Sequence, residues 1–179
     1  LWSPPLERNG KMETVADNAG KYGPDLMCDF LCDFMVRNQN TPFFVYYPMV
    51  LVHDPFVKTP DTIGDAPRTQ AANKAPKSKQ AQKANFVAMV EYADKLVGRL
   101  EKKIKDLGLA ENTVIVVWSD HGFHLGENSL WAKTSNFELD ARVPARGLSR
   151  RGAQHLDGSP PGGEEARGAV AVPPVVPRP

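Results

Sequence analysis

The chain has 179 residues, of which 41% are hydrophobic and 24% charged, with 22 Lys plus Arg against 21 Asp plus Glu and a formal net charge of +1. Such a length holds one domain or part of a larger one. The apolar fraction excludes wholesale disorder, and the balanced charge gives no electrostatic case for a nucleic-acid or membrane-surface partner. No apolar run approaches the ~20 residues of a membrane span, and 2 cysteines exclude a disulfide-rich scaffold. Two features stand out: 16 prolines, and a first residue, Leu1, that is not Met and is followed by no signal-like segment. The second predicts a processed chain or a fragment.

Leu1 to Pro24 is polar and rich in Gly and Pro, and reads as mostly loop. Met27, Phe30, Leu31, Phe34 and Met35 then recur at threes and fours, which predicts a helix from about Leu26 to Asn38 with Asp25 as its N-cap. Phe43-Phe44-Val45-Tyr46-Tyr47 is aromatic and β-branched on both faces, the pattern of a buried strand in a covered, parallel-type sheet. His53-Asp54-Pro55 follows. Residues 58–84 hold six basic residues against Asp61 and Asp65, three prolines and no aromatic residue, and read as a polar surface excursion with a helical piece near its end.

The clearest helix runs from Asn85 to Leu107, where Phe86, Met89, Val90, Ala93, Leu96, Val97, Leu100, Ile104 and Leu107 form one stripe. Gly108 stands where a left-handed C-terminal cap is expected. Thr113 to Trp118 is a second apolar strand. Strand, helix and strand make one βαβ unit with parallel strands, so ligands are expected at the strands' carboxyl ends. His53 follows the first strand and Ser119-Asp120-His121-Gly122 the second. After Pro144 the five basic residues are all Arg, six of the 16 prolines occur, and no periodicity survives, so 145–179 is expected to be a disordered tail.

Asp120-His121 on a glycine-containing turn can direct a carboxylate and an imidazole at one cation. Oxygen ligation suits Ca²⁺ or Mg²⁺, and the imidazole also admits Zn²⁺ or Mn²⁺. His124 and Glu127 are close enough in sequence to join them. The residues leave open a turn-capping Asp beside a surface His. Taken alone, His53 reads more as a hydrogen-bonded structural residue than as a catalytic one, and Lys133 more as solvent-facing than as anion-binding. Cys28 and Cys32, four apart on a helix with no second Cys or His pair nearby, read as packing residues rather than a metal site.

Several segments taken in order carry a resemblance. They are Pro42 to Tyr47 with His53 and Pro55, Val87 to Gly98, Val116-Val117-Trp118-Ser119-Asp120-His121-Gly122, Leu125-Gly126-Glu127, Trp131-Ala132-Lys133, and Arg142-Val143-Pro144. This set resembles the type I sulfatases of the alkaline phosphatase superfamily, over roughly Tyr22 to Pro144. Gly126 to Glu138 is most similar to the iduronate-2-sulfatase branch.

The resemblance implies a partial α/β, three-layer sulfatase fold with a mostly parallel sheet over 1–144, followed by the 145–179 tail. It implies that Asp120 and His121 are half of a metal site, usually for Ca²⁺. It implies that Lys133 and His53 contact the sulfate, with His53 assisting the leaving group. It also implies a sulfated small-molecule or carbohydrate substrate, and an exported protein by family habit. The family's nucleophile is a formylglycine made from the Cys or Ser of a Cys-x-Pro-Ser-Arg or Cys-x-Ala-x-Arg segment. Cys28 is followed by Asp29-Phe30-Leu31 and Cys32 by Asp33-Phe34-Met35, so neither inherits that role. The adjacent aspartates of the other half of the metal site are absent too.

The expectation is therefore the middle of a sulfatase catalytic domain, inactive by itself, with formylglycine in a part not included. The abrupt change at Pro144 suggests a reading-frame shift, which resequencing of the coding DNA tests. The alternatives are a phosphodiesterase or phosphonate monoester hydrolase of the same superfamily, which commonly uses zinc or manganese, and a non-catalytic anion-binding domain.

Overall fold

A computed structural model of the chain describes residues 1–133, 135–143, 145–148 and 168–172, the last two segments as backbone alone. In chain order the elements are β1 (Leu6–Arg8), β2 (Lys11–Glu13), α1 (Gly23–Asn38), β3 (Phe43–Tyr46), α2 (Lys79–Asp106) and β4 (Thr113–Trp118). Then come β5 (His124–Leu125), β6 (Trp131–Ala132), the single-turn α3 (Glu138–Ala141), β7 (Ala145–Leu148) and β8 (Gly168–Val172). Contacts divide the chain into two compact units, Leu1–Phe34 with Val50–Lys103 and Met35–Met49 with Ile104–Pro179.

The first unit is built on the apolar stripes of α1 and α2. Cys28, Met89 and Leu96 are fully buried, and the Cys28 thiol donates to the Leu96 carbonyl (3.8 Å). Burying one such leucine contributes about 1.5–3 kcal/mol. Tyr22 stacks between Trp2 (4.8 Å between ring centres) and Tyr92 (5.4 Å). Asp25 lies within the first turn of α1 rather than capping it, because the helix begins two residues earlier, at Gly23.

The amino-terminal stretch is not all loop. Asn9 and Gly10, both at positive φ (52° and 79°), close a two-residue hairpin between β1 and β2. An Asn-Gly pair adopts such a turn readily. The 58–84 excursion is tied down through its backbone. Trp2 Nε1 donates to Lys58 O (2.9 Å), Ser3 Oγ to Arg68 O (3.0 Å), and the Asn73 side chain exchanges hydrogen bonds with the Trp2 backbone (2.7 and 3.0 Å). Its end is helical, since α2 starts at Lys79.

The second unit carries a four-stranded sheet in the order β3-β8-β4-β7. β8 runs parallel to both β3 and β4, so the two strands of the expected βαβ unit are parallel, with β8 between them. β7 is antiparallel to β4. The turn after α2 is a Schellman cap on Gly108 (φ 69°): Gly108 N–H donates to Lys105 O and Leu109 N–H to Ile104 O, both at 3.0 Å.

Two expectations require correction. β3 was read as covered on both faces. Val45 and Tyr47 are buried, but Phe44 is 64% and Tyr46 55% exposed, because alternate side chains of a strand point to opposite faces and only one face of β3 is covered among the described residues. Residues 145–148 and 168–172, within the stretch expected to be disordered, form β7 and β8. Gly168-Ala169-Val170-Ala171-Val172 is short, apolar and β-branched, which suits the middle of a parallel sheet. The remainder of 145–179, with the frame-shift reading that concerns it, lies outside the described residues.

Candidate functional site

β4 ends at Trp118, and Ser119 turns the chain by donating its hydroxyl to the His121 carbonyl (2.9 Å). Asp120 and His121 thereby stand just beyond the carboxyl end of a parallel strand, where open α/β sheets place their ligands. A tight β5–β6 pair follows, with His124 opposite Ala132 and Leu125 opposite Trp131. Its loop is closed by Gly126 at φ 117° and by Asn128 and Ser129, also at positive φ. The reversal returns Lys133 to His121.

Lys133 Nζ lies 2.6 Å from His121 Nε2, and Asp120 Oδ1 lies 3.3 Å from the same nitrogen. His121 Nδ1 is 2.7 Å from the Gly122 carbonyl. A carbonyl only accepts and an ammonium only donates. Nδ1 therefore donates to the carbonyl, and Nε2 turns its lone pair to the Lys133 ammonium. A ligating histidine is also held by one ring N–H on a carbonyl, although here the Nε2 lone pair is engaged by Lys133.

The donor set fits a metal in part. Asp120 and His121 offer one carboxylate and one imidazole, whereas calcium takes about six to eight oxygen ligands. Among the described residues no group of three or more His, Cys, Asp or Glu gathers to hold a metal ion. His124 and Glu127 do not join the pair. The His124 ring, 1% exposed, donates Nδ1–H to Asp140 Oδ1 (2.6 Å), and Glu127 accepts from the Leu125 N–H.

Asp140 is the residue that sequence reasoning missed. Its Oδ2 accepts from both the backbone N–H (2.7 Å) and the hydroxyl (2.5 Å) of Ser135, and its carbonyl accepts the Gly122 N–H (2.8 Å). These donors, the Ser135 hydroxyl foremost, hold its carboxyl below the usual carboxylate range. Gly122 is required at this approach, because a Cβ there would lie 1.8 Å from the Leu139 carbonyl oxygen. No sequence motif marks Asp140; its partners lie 5, 16 and 18 positions away and meet only after the chain reverses.

His53 belongs to the first unit, at the turn after Val50–Val52. It is partly exposed, with Nδ1 2.8 Å from the Asp54 carbonyl, so its proton sits on Nδ1 and Nε2 is free of that bond. Cys28 is fully buried, and burial pushes its thiol up to about 12. A thiol so held is unreactive.

The chain matches the sulfatase family model over residues 3–161. It is 48% identical over 60 residues to iduronate 2-sulfatase of Mus musculus, covering 34% of this chain and 11% of that protein. It is 36% identical over 83 residues to choline-sulfatase of Rhizobium meliloti, covering 42% and 16% respectively. It is 28% identical over 153 residues to steryl-sulfatase of Rattus norvegicus, covering 78% and 22%. Among solved structures, Ps i-CgsB in complex with k-i-k-neocarrahexaose superposes with a TM-score of 0.56 at 23% identity, over 95% of this chain and 34% of that one. The chain thus spans a minor part of the length of each of these relatives. On the extent of the family match, it belongs to the sulfatase family.

Proposed function

We propose that this chain is part of a sulfuric ester hydrolase that cleaves sulfate esters, of carbohydrates in the first instance, by a metal-assisted formylglycine mechanism, and that residues 1–179 alone do not turn over. The observation that carries this reading is the convergence of Lys133 Nζ, His121 Nε2 and Asp120 Oδ1 at the carboxyl end of β4. Relatives named for iduronate, choline and steryl sulfates differ in the alcohol and share the sulfate.

A sulfate ester is anionic, and charge builds on its oxygens as the S–O bond breaks. Lys133 supplies a fixed positive charge for those oxygens. Asp120 and His121 are the residues that would hold the family's dication, Ca²⁺ by resemblance, and when bound it adds its own charge to that stabilisation. His53, with Nδ1–H on the Asp54 carbonyl, can act as the acid only as an imidazolium, passing the proton of Nε2 to the departing alcohol oxygen and returning to the Nδ1–H form. The nucleophile is not among these residues, because Cys28 and Cys32 lack the family's segment and the Cys28 thiol is buried.

Two measurements test the reading. Purified 1–179 is expected to show no hydrolysis of an aryl sulfate, and turnover would overturn its proposed inactivity. Inorganic sulfate is expected to bind, and Lys133→Ala to weaken that binding roughly tenfold, about the value of one charge-assisted hydrogen bond. Sulfate affinity unchanged by the substitution would remove Lys133 from the site. In the parent protein, the reading expects a Cys-x-Pro/Ala-x-Arg segment encoded upstream and bound calcium.

A further inference from the structure

We propose that Asp140 is a positioning residue for Lys133, a single side chain that sets the height and direction of the lysine over His121. The proposal rests on the reading of Lys133 as the sulfate-contacting cation. Lys133 is flanked on both sides by segments that end on Asp140. On its amino-terminal side, Ala132 pairs with His124 across β5–β6, and the His124 ring is tied to Asp140 Oδ1 (2.6 Å). On its carboxyl-terminal side, Ser135 is tied to Oδ2 through its backbone N–H and its hydroxyl (2.7 and 2.5 Å). The acceptor of the lysine is tied as well, since Asp140 O takes the Gly122 N–H (2.8 Å) next to His121. One residue therefore bridges both flanks of the donor and the turn that carries its acceptor.

Two costs in the fold point the same way. Ala132, immediately before Lys133, is held at φ 75°, a left-handed conformation that is unfavourable for a non-glycine residue. His124 is buried with Nε2 lacking a hydrogen-bond partner, so its ring is committed to the Asp140 bond alone at the expense of an unsatisfied nitrogen. Both costs are met at the residues that aim Lys133, and a carboxylate with three donors is the group that holds them there.

The test uses the full 179-residue chain. Asparagine has one acceptor oxygen, so Asp140→Asn cannot accept from both His124 and Ser135, and it can hold both flanks only by reversing the His124 bond. The ring nitrogens of His121, read by ¹⁵N NMR, are expected to change from the single Nδ1–H form to a mixture of tautomers, and affinity for inorganic sulfate to fall roughly threefold to fivefold, less than the tenfold of Lys133→Ala. Ser135→Ala keeps the backbone donor and is expected to give a smaller change of the same kind; it decides the matter if Asp140→Asn does not fold. A purely structural role would lower stability while leaving the His121 ring signature and sulfate affinity of the folded protein unmoved. That result would overturn the proposal. If the unmodified chain binds no sulfate, the reading of Lys133 fails, while the His121 signature still decides whether Asp140 sets the Lys133–His121 contact.

Discussion

Each unit is organised around one carboxylate, and the two are held in opposite ways. Asp25, in the first unit, receives the Tyr92 hydroxyl on both oxygens (2.8 and 2.9 Å) and Arg99 at a long 3.4 Å. Asp140, in the second, receives three close donors at 2.5–2.7 Å. The Asp25 side chain is 30% exposed and that of Asp140 6%. Asp25 is raised, with desolvation outweighing Tyr92 and Arg99, and Asp140 is lowered by its donors, the Ser135 hydroxyl foremost. The first hub is a helix-packing device; the second joins the segments around Asp120, His121 and Lys133.

Substitutions can break this contrast or sharpen it. The largest expected effect is Gly122→Ala, whose Cβ would overlap the Leu139 carbonyl. A loss of roughly 4 kcal/mol or more is expected, confined to the second unit and seen as lost amide protection at 119–141 with protection around Leu96 intact. Loss of protection in both units would show the two hubs to be one cooperative body. Leu96→Ala, in the fully buried face of α2, should cost about 2–5 kcal/mol in urea unfolding and leave the Asp140 hydrogen bonds in place.

Acid titration distinguishes the hubs directly. The unfolded reference for either carboxyl is ~3.9. Asp140, lowered in the fold, contributes stability above that value that is lost as pH falls through its folded pKa. Asp25, raised in the fold, contributes stability below ~3.9 that is lost as pH rises through its folded pKa. Carboxyl ¹³C shifts should place the Asp25 midpoint above that of Asp140, and the reverse order would refute the contrast. The smallest expected effect is a gain: Ala132→Gly relieves the positive φ and should raise stability by about 0.5–1 kcal/mol, after the greater freedom of glycine in the unfolded chain is subtracted.

What was legible in the sequence follows from what repeats locally. The stripe of α2 apart from the exposed Val90 and from Leu107 beyond the helix end, the Gly108 cap and the bounds of β4 are set by neighbours a few positions apart, and they appear where the pattern predicts. The helical piece expected near the end of 58–84 is the start of α2, and its continuity with the helix from Asn85 was hidden because Lys79, Gln80, Gln82 and Lys83 are good helix formers without apolar spacing. The Asn9-Gly10 hairpin was missed for the same reason, as its strands are short and polar. Exposure of Phe44 and Tyr46 was invisible because an apolar run covered on one face reads like one covered on both. In the site, Asp120, His121 and Lys133 were marked by their place after a strand and by resemblance. Asp140 was not, because its part depends on the reversal at 126–130, where Asn128 and Ser129 take positive φ against the ordinary preference of non-glycine residues.

The burial of Cys28 has a practical consequence. Its thiol is closed off between α1 and α2, while Cys32, one turn along the same helix, is only half-buried. A thiol reagent should therefore modify Cys32 first and reach Cys28 only when the helices part. The two rates, read by mass in a single sample, give surface reactivity and helix opening side by side. The chain thus holds its own clock for the opening of the first unit, with an internal standard four residues away.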